Sequence, residues 1–161
     1  MKNFNTNTQN HDEWLTPPEI IQALGPFDLD PCAPVTRPWQ TAATHYTKRD
    51  DGLSRPWYGR VWLNPPYGNQ TFQWLEKLSH HLSGLALIFA RTETRGFHEQ
   101  VWQKASSVFF FRGRLRFHYV DGSRGGTANA PSVLVAYSRE DDLAIHRALE
   151  RGAITGKHVK L

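Results

Sequence analysis

The feature that most constrains the fold is an apolar strand followed by a helix, a unit that occurs twice in the middle of the chain. Residues 60–64 are typical of a buried strand with apolar residues at 61–63, which Pro65 and Pro66 end at once, and residues 85–90 form a continuous apolar run. After each run, apolar residues recur at helical spacing, namely Phe72, Leu75, Leu78 and Leu82, then Phe97, Val101, Trp102 and Ala105. This alternation predicts an α/β domain with a parallel sheet covered on both faces.

The C-terminal part of the chain predicts strands that lie close together in sequence. Residues 107–111 and 115–119 can pair around Gly113, and residues 132–137 form a last strand, after which Ser138 is expected to cap a helix that runs to about Glu150. Strands joined by short turns are antiparallel. We therefore expect a mostly parallel sheet with an antiparallel C-terminal portion.

Length and composition indicate a single domain. A chain of 161 residues can bury one core but is too short for two ordinary domains. We expect one domain over residues 1–161, with 1–11 flexible and 151–161 forming a tail. The longest apolar run is far below the roughly 20 residues of a membrane span, and the N-terminus is polar, so we expect a cytoplasmic protein without membrane contact.

The cysteine and histidine pattern does not indicate a metal. Cys32 is the only cysteine, so no internal disulfide can form, and no cluster has the spacing of a zinc site. We expect no bound metal, and no sequence feature indicates an obligate protein partner.

Two polar residues stand at the ends of predicted strands. Asp30 ends the short strand 27–30, and Asn64 ends the strand 60–64. In parallel sheets the carboxyl ends of the strands meet at one edge, where ligands bind. We expect Asp30 and Asn64 to converge on one crevice.

The segment Asn64-Pro65-Pro66-Tyr67 suits reaction at an amino group attached to an aromatic ring. The lone pair of such a nitrogen is delocalised, and two acceptors, the Asn64 side-chain carbonyl and the Pro65 backbone carbonyl, can draw the nitrogen toward tetrahedral geometry. The prolines stiffen the loop, and Tyr67 offers a face on which a base can stack. The alternative is a rigid turn between a strand and a helix. The position directly after a buried strand favours the functional interpretation.

Five segments taken together are specific for one family. They are DEWLTPPE (12–19), DLDPCA (28–33), DGL (51–53), VWLNPPYG (61–68) and GRLRF (113–117). Through them, residues 12–137 resemble the phage-type DNA N6-adenine methyltransferases, the Dam family. The resemblance implies a Rossmann-like methyltransferase core and S-adenosylmethionine as methyl donor. It also implies direct, in-line transfer to N6 of an adenine flipped out of the DNA. A phage-encoded member would act in the host cytoplasm.

The resemblance also implies which residues border the cofactor, namely Thr16, Pro17, Asp30, Pro31, Cys32 and Ala33. Asp51 looks like the acid that accepts from the cofactor's adenine amino group. Simpler interpretations exist, because Thr16 to Glu19 has the form of a capping box, Cys32 could be only a small buried residue, and Asp51 could cap a turn. One departure is that residues 34–38 (PVTRP) stand where relatives have a glycine-rich turn.

Five arginines are candidates for DNA contact. Lysine and arginine give a formal net charge of +4, which is compatible with a polyanionic partner. Arg112, Arg114 and Arg116 alternate, so on one strand they would share a face and could contact phosphates. Arg124 lies in a loop that could close over DNA, and Arg91 follows the strand 85–90. The alternative for the stripe is the solvated face of an edge strand.

Two other functions compete with DNA methylation. An amide nitrogen poses the same lone-pair problem, so the motif could serve N5 methylation of a glutamine in a protein. A DNA-binding relative that has lost catalysis is the third possibility, supported by the missing glycine-rich turn. The arginines and the family resemblance argue against glutamine methylation, and the intact tetrapeptide argues against a relative that has lost catalysis.

Overall fold

The computed structural model describes residues 13–161. The segment 1–11 expected to be flexible, and Asp12 of the first motif, lie outside the described residues. The described elements, in chain order, are α1 (Pro18–Leu24), β1 (Leu29–Asp30), β2 (Thr44–His45), β3 (Val61–Leu63), α2 (Thr71–His81), β4 (Gly84–Phe89), α3 (Arg95–Phe97) continued by a π-helix (His98–Trp102), β5 (Ser107–Phe111), β6 (Arg116–His118), β7 (Arg124–Thr127), β8 (Ser132–Ala136), α4 (Arg139–Glu150) and β9 (Gly156–Lys160).

A seven-stranded sheet with the order β2-β1-β3-β4-β8-β5-β9 forms the centre of the described chain. The first four strands in this order pair in parallel. β8 runs antiparallel to both β4 and β5, and β9 runs antiparallel to β5. Five strands therefore point one way, and β8 and β9 point the other. The prediction of an α/β fold with a mostly parallel sheet and antiparallel strands is confirmed.

The pairing of the C-terminal strands differs from the prediction. β5 does not pair with the strand that follows it, but lies between β8 and β9, while β6 and β7 form a separate two-stranded sheet. Burial explains the difference, because Val108 and Phe109 are fully buried and need cover on both faces of the sheet. The polar, arginine-rich turn after β5 cannot provide that cover.

The expected tail at residues 151–161 is also wrong. Residues Gly156–Lys160 form β9, the edge strand that pairs with β5 along its whole length. The edge carries Lys157 and Lys160, charges of the kind that protect exposed sheet edges from further pairing. The short sequence gave no strong apolar signal because Val159 is the one large apolar residue of β9.

Two helix starts show how local sequence acts. Ser138 caps α4 by accepting a hydrogen bond from the Asp141 backbone N–H, as predicted. At α1 the expected threonine cap is wrong, since Pro17 is the N-cap residue, no side chain caps the helix, and Thr16 is buried. Gly25 ends α1 with its N–H donating to the Ile21 carbonyl.

Apolar residues fill both faces of the sheet. One cluster includes Trp62, Leu85 and Leu87 and packs against α1 and α4, and the other includes Leu63 and Ile88 and packs against α2 and the π-helix. Because alternate strand residues point to opposite faces, the continuous apolar runs fit a sheet buried on both sides. The same arrangement brings the carboxyl ends of β1, β3, β4 and β5 together along one edge of the sheet, which runs across the strand ends and is distinct from the edge strand β9.

Candidate active site

A cavity of about 430 Å³ opens at this edge, beyond the ends of β1 and β3. Its volume is in the range of small-molecule and cofactor sites. All four residues of the NPPY motif (64–67) line it. The other lining residues are Glu13, Trp14, Pro31, Cys32, Ala33, Pro34, Thr47, Lys48, Asp51, Gly52, Leu53, Gln70 and Trp74.

The Asn64 side chain has one used and one unused hydrogen-bonding group. Its Nδ2 donates to the Trp14 backbone carbonyl over 3.4 Å. Its Oδ1 is buried and has no donor among the residues that the structure describes. A buried carbonyl oxygen without a donor costs about 1–3 kcal/mol, so such an atom is expected where a ligand supplies the donor.

The loop after Asn64 is fixed by a side chain of α2. Thr71 Oγ1 donates to the Pro66 carbonyl over 2.5 Å, whereas no donor from the described part of the chain reaches the Pro65 carbonyl. The two acceptors expected from the sequence, Asn64 Oδ1 and the Pro65 oxygen, are thus both available.

Tyr67 is held by aromatic neighbours that sequence reasoning missed. Its ring stacks on Phe89 with the centroids 4.1 Å apart and the planes 3° from parallel, and Phe117 meets it edge-on at 6.5 Å. Burial raises the pKa of the Tyr67 hydroxyl, so this group stays protonated. With 37% of its surface exposed, Tyr67 retains area for a further stacking partner. Phe89 ends β4, the strand that follows Asn64 in the chain, and this position could have indicated that Phe89 lies near the motif.

The residues expected to contact a cofactor divide into two groups. Pro31, Cys32, Ala33 and Asp51 line the cavity, whereas Thr16, Pro17 and Asp30 do not. Burial and the Asp30 and Glu13 carboxylates raise the pKa of the Cys32 thiol, which therefore remains neutral. The mixed apolar and charged lining fits a cofactor that carries both a nucleoside and charged groups.

Asp30 lies behind the cavity wall. It accepts hydrogen bonds from the Cys32 backbone N–H over 3.1 Å and from Thr41 Oγ1 over 2.5 Å. Burial raises the pKa of Asp30 to about 6, against the opposing effects of these hydrogen bonds and of Arg37. Asp30 thus holds the turn that presents Pro31 and Cys32 to the cavity.

Gly52 lies in close contact with the backbone of Pro31 in the cavity wall. A Cβ at Gly52 would lie 2.1 Å from the Pro31 carbonyl oxygen, so only glycine fits there. Residues 34–38 form a turn in which Arg37 Nη1 donates to the Pro34 carbonyl over 2.9 Å.

A comparison with protein families decides the identity. Residues 3–154 match the family model described as DNA N-6-adenine-methyltransferase (Dam). The chain belongs to the Dam family. No curated protein and no solved structure matches it. Membership implies methylation of adenine in DNA, which agrees with the family resemblance stated from the motifs.

Four of the five candidate arginines of this Dam-family chain lie together, but not on one strand. Arg112 and Arg114 flank Gly113 in the turn after β5, Arg116 begins β6, and Arg124 begins β7. The predicted stripe on a single strand is wrong, because Gly113 adopts a positive φ of 75° that ends the extended backbone. The four side chains instead line a second cavity of about 330 Å³, together with Pro17, Glu19, Ile20, Phe111, Leu115, Ala153, Ile154 and Thr155.

Arg91 stands apart from these four. It follows β4 at the same sheet edge, and its guanidinium lies 5.9 Å from the centre of the Phe89 ring. Phe89 in turn stacks on Tyr67, so Arg91 adjoins the NPPY motif and not the second cavity.

Sequence reasoning missed several cavity residues, in particular Glu13, Trp14, Thr47, Lys48 and Gln70. Glu13 and Trp14 lie in the first family motif and could have been found there. Thr47 and Lys48 lie in a stretch without periodicity, which gave no signal.

The described residues contain no group of three potential metal ligands from His, Cys, Asp and Glu. Within that same part of the chain, no helix is both long and apolar enough to cross a membrane.

Proposed function

We propose that this Dam-family chain transfers a methyl group from S-adenosylmethionine to N6 of an adenine that is rotated out of the DNA. The observation that carries the proposal is the buried Asn64 Oδ1, which has no donor among the described residues and belongs to a residue that lines the cavity. An adenine amino group has two N–H donors. Asn64 Oδ1 and the Pro65 carbonyl oxygen would each accept one of them.

The fit of the cofactor rests on the cavity beside these acceptors. Pro31, Cys32 and Ala33 would hold it from β1, and the Asp51 carboxylate would accept from its adenine amino group. When bound, S-adenosylmethionine supplies a sulfonium methyl group for direct, in-line transfer, in which the N–C bond forms, the S–C bond breaks and S-adenosylhomocysteine leaves.

The chain's own residues prepare the acceptor nitrogen. With both N–H groups bound to fixed oxygens, the nitrogen moves toward tetrahedral geometry and its lone pair becomes available. After transfer, one N6 proton leaves to solvent, so no general base is required. Tyr67 would stack on the base, which contributes about 1–3 kcal/mol against the cost of rotating it out of the duplex.

The arginine-lined cavity favours DNA over a protein substrate. Arg112 follows β5, and Asn64 follows β3. These two strands are three positions apart in the sheet, so their ends are separated by about 14 Å at the usual strand spacing. Arg112, Arg114, Arg116 and Arg124 are exposed there and would contact backbone phosphates near the target base, and Arg91 would do so beside Tyr67.

A methyl-transfer assay tests the proposal. Tritiated S-adenosylmethionine is incubated with the chain, unmethylated duplex DNA and mixed protein, and the products are digested and separated. We expect label in N6-methyladenine. Label in protein-bound glutamine would support glutamine methylation instead, and DNA binding without any transfer would support a non-catalytic relative. Either result would overturn the proposal.

A further inference from the structure

The small sheet formed by β6 and β7 is joined to the segment that precedes α1. Leu15 N–H donates to the His118 carbonyl over 2.8 Å, and His118 N–H donates to the Leu15 carbonyl over 2.9 Å. Leu15 thereby adds a third, strand-like partner to this hairpin. The hairpin carries Arg116 and Arg124, two of the proposed DNA contacts.

The neighbouring residue, Trp14, connects the hairpin to the NPPY motif. Its ring packs against Tyr119 at 5.0 Å between centroids, directly after β6. Its backbone carbonyl accepts the hydrogen bond from Asn64 Nδ2, and Trp14 also lines the main cavity. One residue thus touches the hairpin, the cavity and the catalytic amide.

The orientation of the Asn64 amide matters for the chemistry. An amide turned over by 180° would present its NH₂ group, two donors, to the adenine amino group, where an acceptor is needed. Among the described residues, the Trp14 carbonyl is the group that the amide nitrogen binds. That single contact selects the orientation in which Oδ1 is free.

We propose that Trp14 is a positioning residue for methyl transfer, and that the β6–β7 hairpin, by fixing Trp14, holds the Asn64 amide with its oxygen toward the acceptor nitrogen. Contact of the hairpin with DNA and preparation of the amino group are thereby coupled. This inference rests on the proposed function, since it assigns Asn64 Oδ1 to adenine N6.

Two adjacent glycines of β7 provide a matched test. A Cβ at Gly125 would lie 2.7 Å from the Phe117 carbonyl oxygen and 3.1 Å from the Trp14 ring, so Gly125→Ala forces the hairpin and Trp14 to move. A Cβ at Gly126 would meet no atom within 4 Å. Neither variant removes an arginine or a residue of the cavity.

We expect Gly125→Ala to lower kcat at saturating DNA by about 10- to 100-fold, because small displacements of reacting groups have effects of that size. Gly126→Ala should stay within about twofold of the wild type, and S-adenosylhomocysteine should bind both variants alike. The side-chain amide signals of Asn64 in ¹H–¹⁵N spectra, assigned by their loss in Asn64→Ala, should shift in Gly125→Ala and not in Gly126→Ala. A merely structural role of the hairpin would not move these signals selectively.

An increase in KM for DNA with unchanged kcat in Gly125→Ala would overturn the inference, as would equal behaviour of the two glycine variants. If circular dichroism shows that Gly125→Ala does not fold, Tyr119→Leu decides, since it removes the ring contact with Trp14. An unchanged kcat in that variant would likewise overturn it. Wild-type chain that makes no N6-methyladenine would refute the proposed function instead, and the amide signals would still report the coupling.

Discussion

At the scale of single residues, the site depends on polar groups that are buried in unusual states. Asn64 Oδ1 has no donor in the described part of the chain, and Asp30 is a carboxyl group buried behind the cavity wall. Both arrangements oppose folding, because a buried acceptor without a partner and a buried ionised carboxylate each lose favourable contact with water.

Replacing Asn64 with alanine removes one of the two proposed acceptors for the amino group. We expect kcat to fall by about 100-fold or more, the usual effect of losing a preorganised hydrogen-bonding group that acts in the transition state. Cofactor binding should persist, because the role proposed for Asn64 is at the acceptor nitrogen and not at the cofactor. Steady-state kinetics and calorimetry with S-adenosylhomocysteine measure the two effects. Loss of S-adenosylhomocysteine binding in this variant would contradict the role given to Asn64.

Asp30 should make stability depend on pH. Burial raises its pKa to about 6 from 3.8, so between these values the folded state binds more protons than the unfolded state. The stabilising effect of protonation is fully present below about pH 4 and is lost as pH rises through about 6. This loss lowers the free energy of unfolding by about 3 kcal/mol in total. Relative to Asp30→Asn, the wild type should therefore lose stability over this window in chemical denaturation. If the free energy of unfolding changes with pH in the same way for the wild type and for Asp30→Asn, Asp30 is not the titrating group.

At the scale of elements, part of the cavity wall has no regular secondary structure and depends on a helix for its position. Residues 51–53 line the cavity from a loop in which Asp51 has a positive φ of 56°. Lys77 of α2 donates from Nζ to the carbonyls of Leu53 over 2.7 Å and Arg55 over 2.5 Å, and lies 5.0 Å from the Trp57 ring. The Trp57 ring nitrogen also donates to the Gly52 carbonyl. α2 thus fixes the loop that carries Asp51.

Replacing Lys77 with methionine keeps an unbranched side chain and removes the ammonium group that contacts the loop carbonyls and the Trp57 ring. We expect KM for S-adenosylmethionine to rise by about tenfold, equivalent to about 1.4 kcal/mol, with kcat little changed because Asn64 is untouched. Lys104→Met is the matched control. The Lys104 ammonium group is also a hydrogen-bond donor, to Gln100 Oε1, but Lys104 does not line the cavity. A fall in kcat with constant KM would contradict this role for Lys77.

At the scale of the whole molecule, one edge of the sheet carries both the cavity and the exposed arginines. Asn64 follows β3, Arg91 follows β4 and Arg112 follows β5, and these strands point the same way. A duplex lying along this edge would contact phosphates at the arginines while one base enters the cavity. Phosphate contacts release counterions, so binding should weaken as salt concentration rises.

The double variant Arg112→Gln and Arg116→Gln should bind DNA with a smaller salt dependence. We expect the slope of log Kd against log salt to decrease by about 1 for each arginine that contacts a phosphate. Fluorescence anisotropy over a salt series measures the slope. Arg139→Gln is the control, because Arg139 begins α4 at the opposite edge of the sheet. An unchanged slope in the double variant would exclude these arginines from the DNA contact.

The sequence by itself determined the parts of this protein that depend on local pattern. Continuous apolar runs, a capping serine and a proline pair defined β3, β4, β8 and the start of α4, because these features act within a few residues. The motifs also determined the family, and the rule for parallel strands placed Asp30 and Asn64 at one edge. All of this information lies in short stretches of chain.

Tertiary structure alone decided which distant residues meet. The pairing of β5 with β8 and β9, the arginine cavity formed from separate elements, and the contact of Asn64 with Trp14 all join residues far apart in sequence. Local propensity does not predict such contacts. They depend on the burial of both faces of the sheet and on the positions at which polar turns can reach solvent. The contact of Trp14 with the Asn64 amide, on which the proposed positioning role rests, therefore became visible only in the folded chain.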